Sequence, residues 1–186
     1  QRYPQTVVIQ ETGHGLYAAI NDGLAEGGWE WFSYLNDDDQ LAGELADEMP
    51  ADADIVYGPV DYVDASGSRV GSFPVESRPA RLPSLLAAGI PALTPQGTLI
   101  SRSAFEALGG FDAKLKFCGD FDFWLRASMR GLRFKYRAGL AGAFRLRPGQ
   151  LSEQHSAAAA ELAMVAALAG CPQSGIKRAC ARMMFR

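Results

Sequence analysis

A chain of 186 residues is long enough for one domain with a core of its own, and its 48% apolar and 21% charged content is that of an ordinary globular protein, neither disordered nor fibrous. Eighteen basic side chains against 21 acidic ones give a formal net charge of −3 with no long basic run, which argues against nucleic acid as a partner. Cys118, Cys171 and Cys180 form no CxxC pair and cannot all be paired, so a reducing, cytoplasmic setting without structural zinc is expected. The apolar stretch over 157–170 is mostly alanine, carries Glu161, and falls short of the ~20 apolar residues that a bilayer span requires. Gln1 is not an initiator methionine and no signal-like apolar segment follows it, so the natural start is expected upstream.

In chain order, residues 6–10 read as a short buried strand, and 15–25 as a helix with Leu16, Ala19, Ile20 and Leu24 on one face, ended by Gly27 and Gly28. A strand over 31–35 runs into Asn36, Asp37, Asp38 and Asp39, where Asp38 or Asp39 is placed to cap a second helix over 40–48 that Pro50 closes. Strand, helix, strand, helix implies a mainly parallel sheet. Strands at 55–58, 60–63 and 69–73, the last two joined by a turn at 65–68, are expected to form a small antiparallel section.

A proline-bearing loop over 74–83 then leads to a short helix at 84–89, a strand at 97–101 and a helix at 103–108. After a turn at 109–112, a helix over 120–130 shows Phe121, Trp124, Leu125 and Met129 as an apolar stripe and stops at Gly131. Strands at 133–136 and 141–145 precede Pro148, and an alanine-rich helix covers 152–168. At the carboxyl end, Ile176, Ala179, Cys180, Met183 and Met184 face away from Lys177, Arg178, Arg182 and Arg186. Residues 174–186 are therefore expected to pack on the domain or to touch an anionic membrane face. The expected fold class is α/β, a mainly parallel central sheet flanked by helices with a small antiparallel section.

The abrupt end of an apolar run in three adjacent carboxylates is where chemistry is first sought. Each charge raises the cost of ionising the next, so solvent or a bound cation has to compensate them. Open α/β sheets bind ligands at the carboxyl ends of their strands, and a hard divalent cation on one or two carboxylates can bridge to substrate phosphates. A solvated turn or a helix cap is the bland reading of the same residues.

Five segments in order, ETGHGLYAAINDG at 11–23, YLNDDDQL at 34–41, VYG at 56–58, GGFD at 109–112 and GDFDFWLR at 119–126, together resemble the large inverting glycosyltransferase family of bacterial polysaccharide and cell-wall synthesis (family 2). The fold so implied is the glycosyltransferase A type. The implied activity is hexosyltransferase-type: a sugar passes, with inversion, from a nucleotide diphosphate sugar donor to a hydroxyl of a saccharide or lipid-linked acceptor, in the cytoplasm or at the inner face of the membrane. The resemblance also implies a divalent cation, Mg²⁺ or Mn²⁺, acting as Lewis acid on the leaving diphosphate. Asp38 matches the last carboxylate of the family's Asp-x-Asp motif and is the expected metal ligand, with Asp39 or Asp37 assisting metal or sugar and Asn36 reaching a ribose or sugar hydroxyl.

Asp120 maps onto the family's general base, which takes the acceptor's proton. A helix amino terminus helps to keep such a carboxylate ionised, and plain helix capping is the competing reading. Asp122 is expected to support the site on the acceptor side, and Trp124 to pack there or to stack on a sugar ring. Gln96 and Thr98 match a polar stretch lining the sugar side, with a loop of satisfied amides as the alternative. Tyr17 and Asn21, four residues apart on one helical face, are expected to face the donor pocket.

Two departures from the family stand out. Arg147 occupies the position where many relatives carry a histidine; a guanidinium cannot ligate a cation but suits a diphosphate, so weaker metal dependence is expected. The family's first strands, which read the nucleotide base and span roughly 60 to 90 residues, have no counterpart before Gln1. Residues 1–152 therefore read as an N-terminally incomplete catalytic domain and 153–186 as a C-terminal helical extension. The alternative is a noncatalytic remnant acting as a sugar-binding or interaction module. A nucleotidyltransferase, the third reading, calls for a glycine-rich, lysine-bearing phosphate loop that the sequence lacks.

Overall fold

The computed structural model describes residues 8–10, 15–41, 49–139, 141–148 and 154–172. Its elements are α1 (Leu16–Ala25), β1 (Trp31–Phe32), β2 (Gln40–Leu41), β3 (Ile55–Tyr57), β4 (Val60–Val63), β5 (Arg69–Ser72), α2 (Leu82–Ala87), β6 (Thr98–Ser101), α3 (Arg102–Leu108), α4 (Gly119–Met129), β7 (Phe134–Tyr136), β8 (Gly142–Arg145) and α5 (His155–Leu168). Local chemistry sets several of these bounds. The Ser101 hydroxyl accepts the Ala104 N–H and caps α3, and Gly109 ends that helix in the left-handed region at φ 72°. The Asp64 carboxylate accepts the N–H groups of Ser66 and Ser68 at 2.8 and 3.0 Å, which closes the turn between β4 and β5.

The strands form two four-stranded mixed sheets, ordered β1-β6-β3-β7 and β2-β8-β4-β5. Among the described residues, parallel pairing is confined to β3 with β7 and β4 with β8, and every other pair is antiparallel. This corrects the expectation of one mainly parallel sheet. Alternation of strand and helix fixes how elements are separated but not the sense in which a strand returns, and β6 inserts antiparallel between β1 and β3.

A second correction concerns residues 40–48. Gln40 and Leu41 pair with Ala143 and Gly142 as a strand instead of opening a helix, and 42–48 lie outside the described residues. Residues 8–10 belong to no strand, while 6 and 7, like 174–186, lie outside the described residues. No helix among the described residues is long and apolar enough to cross a membrane.

Helix α4 lies at the centre of the main core. It buries Phe121, Phe123, Trp124, Leu125 and Ala127, while Met129, expected on its apolar stripe, is exposed. Phe123 takes the inner position instead, its ring 4.7 Å from that of Phe111. Leu162 and Val165 bring α5 into the same core. Each fully buried aromatic or leucine side chain here contributes roughly 1.5–3 kcal/mol.

The two sheets meet where the turn Pro95–Gly97 lies against β8 and β2. Only glycine fits there. A Cβ at Gly142 would overlap the Gln96 carbonyl and stand 2.7 Å from the Gln40 carbonyl oxygen, and one at Gly97 would stand 2.9 Å from the Gly58 carbonyl oxygen. Gly142→Ala is expected to lower stability by about 1–3 kcal/mol, seen as a lower urea midpoint with an unchanged denaturant slope.

Candidate active site

Asp120 sits in the first turn of α4, where three elements converge. Tyr17 from α1 presses its ring onto Gly119, so closely that a Cβ there would lie 2.5 Å from the tyrosine Cε2. The same ring stacks on Phe111 at 5.6 Å, and Tyr34, from the loop after β1, meets Phe111 edge-on at 5.6 Å. Asp120 Oδ1 accepts the Phe121 N–H at 2.8 Å and the Tyr17 hydroxyl at 3.4 Å. Its other oxygen, Oδ2, takes no hydrogen bond among the described residues.

Burial pushes the Asp120 carboxyl up to about 6, and the negative Glu161 adds to the rise; the Phe121 N–H and the Tyr17 hydroxyl work against it. Burial, and then the Asp120 charge, push both Tyr17 and Tyr34 far upward, so both are neutral hydroxyls. The result is a carboxylate held by a tyrosine and a helix N–H, with one oxygen left to take a proton near neutral pH.

The acidic loop is arranged differently. Asp39 N–H donates to the Asn36 carbonyl at 3.2 Å, forming a tight turn. Asp39 Oδ2 then accepts Asn36 Nδ2 at 3.1 Å and Gln96 Nε2 at 2.7 Å, and Oδ1 accepts the Arg145 N–H at 3.0 Å. Asp39 thus ties the loop to the turn before β6 and to β8. Asp38, with a side chain only 9% exposed, pairs with Arg147 Nε at 2.7 Å, while Asp37, 89% exposed, meets Arg147 Nη2 at 3.3 Å.

Several expected site residues serve the fold. Asn21 clamps the backbone of Phe111, donating to its carbonyl at 2.9 Å and accepting its N–H at 3.0 Å. Gln96 is 4% exposed; besides Asp39 it bonds Thr94, and Thr98 donates to the Thr94 carbonyl at 2.7 Å, so both fit the satisfied-loop alternative. Trp124 is 1% exposed and packs edge-on against Phe123, so no sugar ring reaches it. Asp122 pairs with Arg126, whose guanidinium holds the carbonyls of Leu108 and Gly110 at the end of α3.

The structure therefore brings Asp120, Tyr17 and Tyr34 into one group and Asn36, Asp37, Asp38, Asp39, Gln96 and Arg147 into another. The loop after β1 joins them: Asp38 comes four positions after Tyr34, a reach of at most ~14 Å. A cleft of about 350 Å³ lined by Trp29, Trp31, Met49, Asp54, Arg102 and Arg133 opens at the amino ends of β1 and β3 and holds none of these residues. Its carboxylate Asp54 is already bound by Arg133 at 2.9 Å.

Sequence reasoning missed Glu161. On α5, it accepts the N–H groups of Lys116, Phe117 and Cys118 at 2.9, 2.7 and 2.7 Å, just ahead of Asp120. The available signal was a lone carboxylate in an otherwise apolar, alanine-rich helix.

No protein-family model matches the chain, and no curated protein matches it.

Asp120 makes a sign-definite stability prediction. Its carboxyl holds a proton up to about pH 6 in the folded chain but only to about 3.8 when unfolded, so the folded state binds more protons between those values. Stability should fall as pH rises through that window, by about 3 kcal/mol. Asp120→Asn keeps an oxygen for the Phe121 N–H and removes the charge. Its melting temperature should exceed that of the parent chain by about 6–12 °C at pH 8 and nearly match it at pH 4, as calorimetry would show.

Proposed function

We propose that this chain carries the acceptor-side catalytic centre of an inverting nucleotide-sugar glycosyltransferase, with Asp120 as general base. The observation that supports this most directly is the asymmetric carboxylate of Asp120: one oxygen held by the Phe121 N–H and Tyr17, the other open, with the group poised near neutrality. In the proposed step the open oxygen removes the proton of an acceptor hydroxyl, from a saccharide or a lipid-linked saccharide. The acceptor oxygen bonds to the anomeric carbon from the face opposite the donor's diphosphate. The anomeric carbon–oxygen bond breaks, its electron pair leaves on the nucleoside diphosphate, and the configuration inverts.

Negative charge then builds on the leaving diphosphate, and Arg147 is the residue we assign to meet it, since its planar fork of donors suits two phosphate oxygens. The Mg²⁺ or Mn²⁺ ion implied by the resemblance fits this arrangement poorly. Asp38 is already paired with Arg147, and both oxygens of Asp39 are committed to Asn36, Gln96 and the Arg145 N–H. A cation would have to displace Arg147 from Asp38, so no step is routed through one. Asn36 and Asp37, exposed beside Arg147, are left as the groups nearest to donor hydroxyls.

Incubating the full chain with a panel of nucleotide diphosphate sugars and a saccharide acceptor, and measuring nucleoside diphosphate release, tests the reading. Turnover is expected to rise with pH through an acid limb near 6, and Asp120→Asn is expected to lose about 10²- to 10⁴-fold with its fold intact. Absence of turnover with every donor, or full activity in Asp120→Asn, would overturn it in favour of a noncatalytic sugar-binding module.

A further inference from the structure

We infer that Glu161 is a positioning residue for Asp120: from α5, its carboxylate gathers three consecutive backbone N–H groups and so fixes the segment that delivers Asp120 into α4. This rests on the reading of Asp120 as the base. Glu161 Oε1 accepts the N–H groups of Phe117 and Cys118, each at 2.7 Å, and Oε2 accepts that of Lys116 at 2.9 Å. Three successive amides aimed at one carboxylate form a concave anion cradle. A second tie runs alongside, since the Cys118 thiol donates to the Ala158 carbonyl at 3.4 Å.

The position of this cradle in the chain gives it leverage. Cys118 is the residue that precedes α4 and brings no side-chain cap of its own. Gly119 follows, pressed against the Tyr17 ring, and then Asp120. Any movement of 116–118 is thus passed within two residues to the carboxylate, through a Gly119 that is itself packed against the Tyr17 ring. Displacement of a base by ~1 Å costs on the order of 10²-fold in rate. Glu161 is itself held, because the next turn of α5 buries Leu162 and Val165 in the core around α4.

Glu161 also acts through its charge. The groups that act on Asp120 are Tyr17 from α1, Tyr34 from the loop after β1, Phe121 on its own helix, and Glu161 from α5. Both tyrosines are neutral, so Glu161 is the acidic group among them that works to keep the base from being too weak.

The test uses the full chain with Glu161→Gln and Glu161→Asp, following the Asp120 carboxyl by ¹³C NMR titration, its resonance identified by its loss in Asp120→Asn. Glu161→Gln removes the charge and turns an amide N–H₂ toward the Lys116 N–H. The Asp120 midpoint should fall by roughly half a pH unit, since a like charge no longer opposes its ionisation. Transfer kcat should drop ~10- to 100-fold while KM for the donor stays within about twofold. Glu161→Asp, which keeps the charge but retracts it by one methylene, should recover the midpoint and part of kcat; if Glu161→Gln does not fold, a reduced kcat at unchanged donor KM in Glu161→Asp carries the test. A folded Glu161→Gln with a lower melting temperature but an unchanged Asp120 midpoint and kcat would reduce Glu161 to a structural brace and overturn the inference. If the parent chain turns over no donor, the enzymatic reading fails, while the titration still decides whether Glu161 governs Asp120.

Discussion

Helix α4 is buried on nearly every side, and that constraint organises the rest of the molecule. A helix that carries Phe121, Phe123, Trp124, Leu125 and Ala127 into the core cannot slide or rotate without opening cavities beneath α2, α3 and α5 together. Its first turn buries Gly119 and Phe121 along with its middle. That turn carries Asp120, and the groups around it are arranged from outside the helix: Tyr17 from α1, Tyr34 from the loop after β1, Glu161 from α5. Gly119 completes the arrangement, because only a residue without a side chain allows the Tyr17 ring to come so near.

Within one molecule, two sets of carboxylates are treated in opposite ways. Asp39 receives three donors and Asp38 receives a guanidinium, so two carboxylates of the run that looks most reactive in the sequence are already engaged within the chain. Asp120 receives one good hydrogen bond and one long one, which falls short of what its burial removes. Its charge is therefore costly to the fold, and under the proposed reading that cost serves the chemistry. Glu161 stands between these cases: three backbone donors satisfy it, and its charge is turned to another group's ionisation.

What could be read from the sequence was local. α1, α3, α4 and most strands fall within two or three residues of where periodicity and glycine stops place them, because caps and stops act over a single turn of chain. The residues that lay beyond reach depend on partners far along the chain. Gln40 and Leu41 are a strand because Gly142 and Ala143 lie beside them, about a hundred residues away, and no local signal at 40–41 announces that. Gln96 and Thr98 look like binding residues until their partners Thr94 and Asp39 are seen, and Asn21 until Phe111 is. Trp124 is apolar enough to stack on a sugar and is instead enclosed by the core. At Glu161, a carboxylate in an alanine-rich helix stands out, but the three amides that converge on it lie 43 to 45 residues away in the chain.

Under the proposed reading, the two halves of the site differ in what disturbs them. Asp120 lies in a poorly hydrated setting, where salt screens little and the proton governs its charge. Arg147 and Asp37 stand in water, about half and nine-tenths exposed, where an ion pair is worth little by itself and added salt weakens it further. That weakness suits a donor site, because an arginine held only loosely by Asp37 and more firmly by the nearly buried Asp38 can swing one edge of its guanidinium to a diphosphate while keeping the other on Asp38. A base needs a fixed carboxylate and a leaving group needs a charge that can follow it, and the loop after β1 joins one of each.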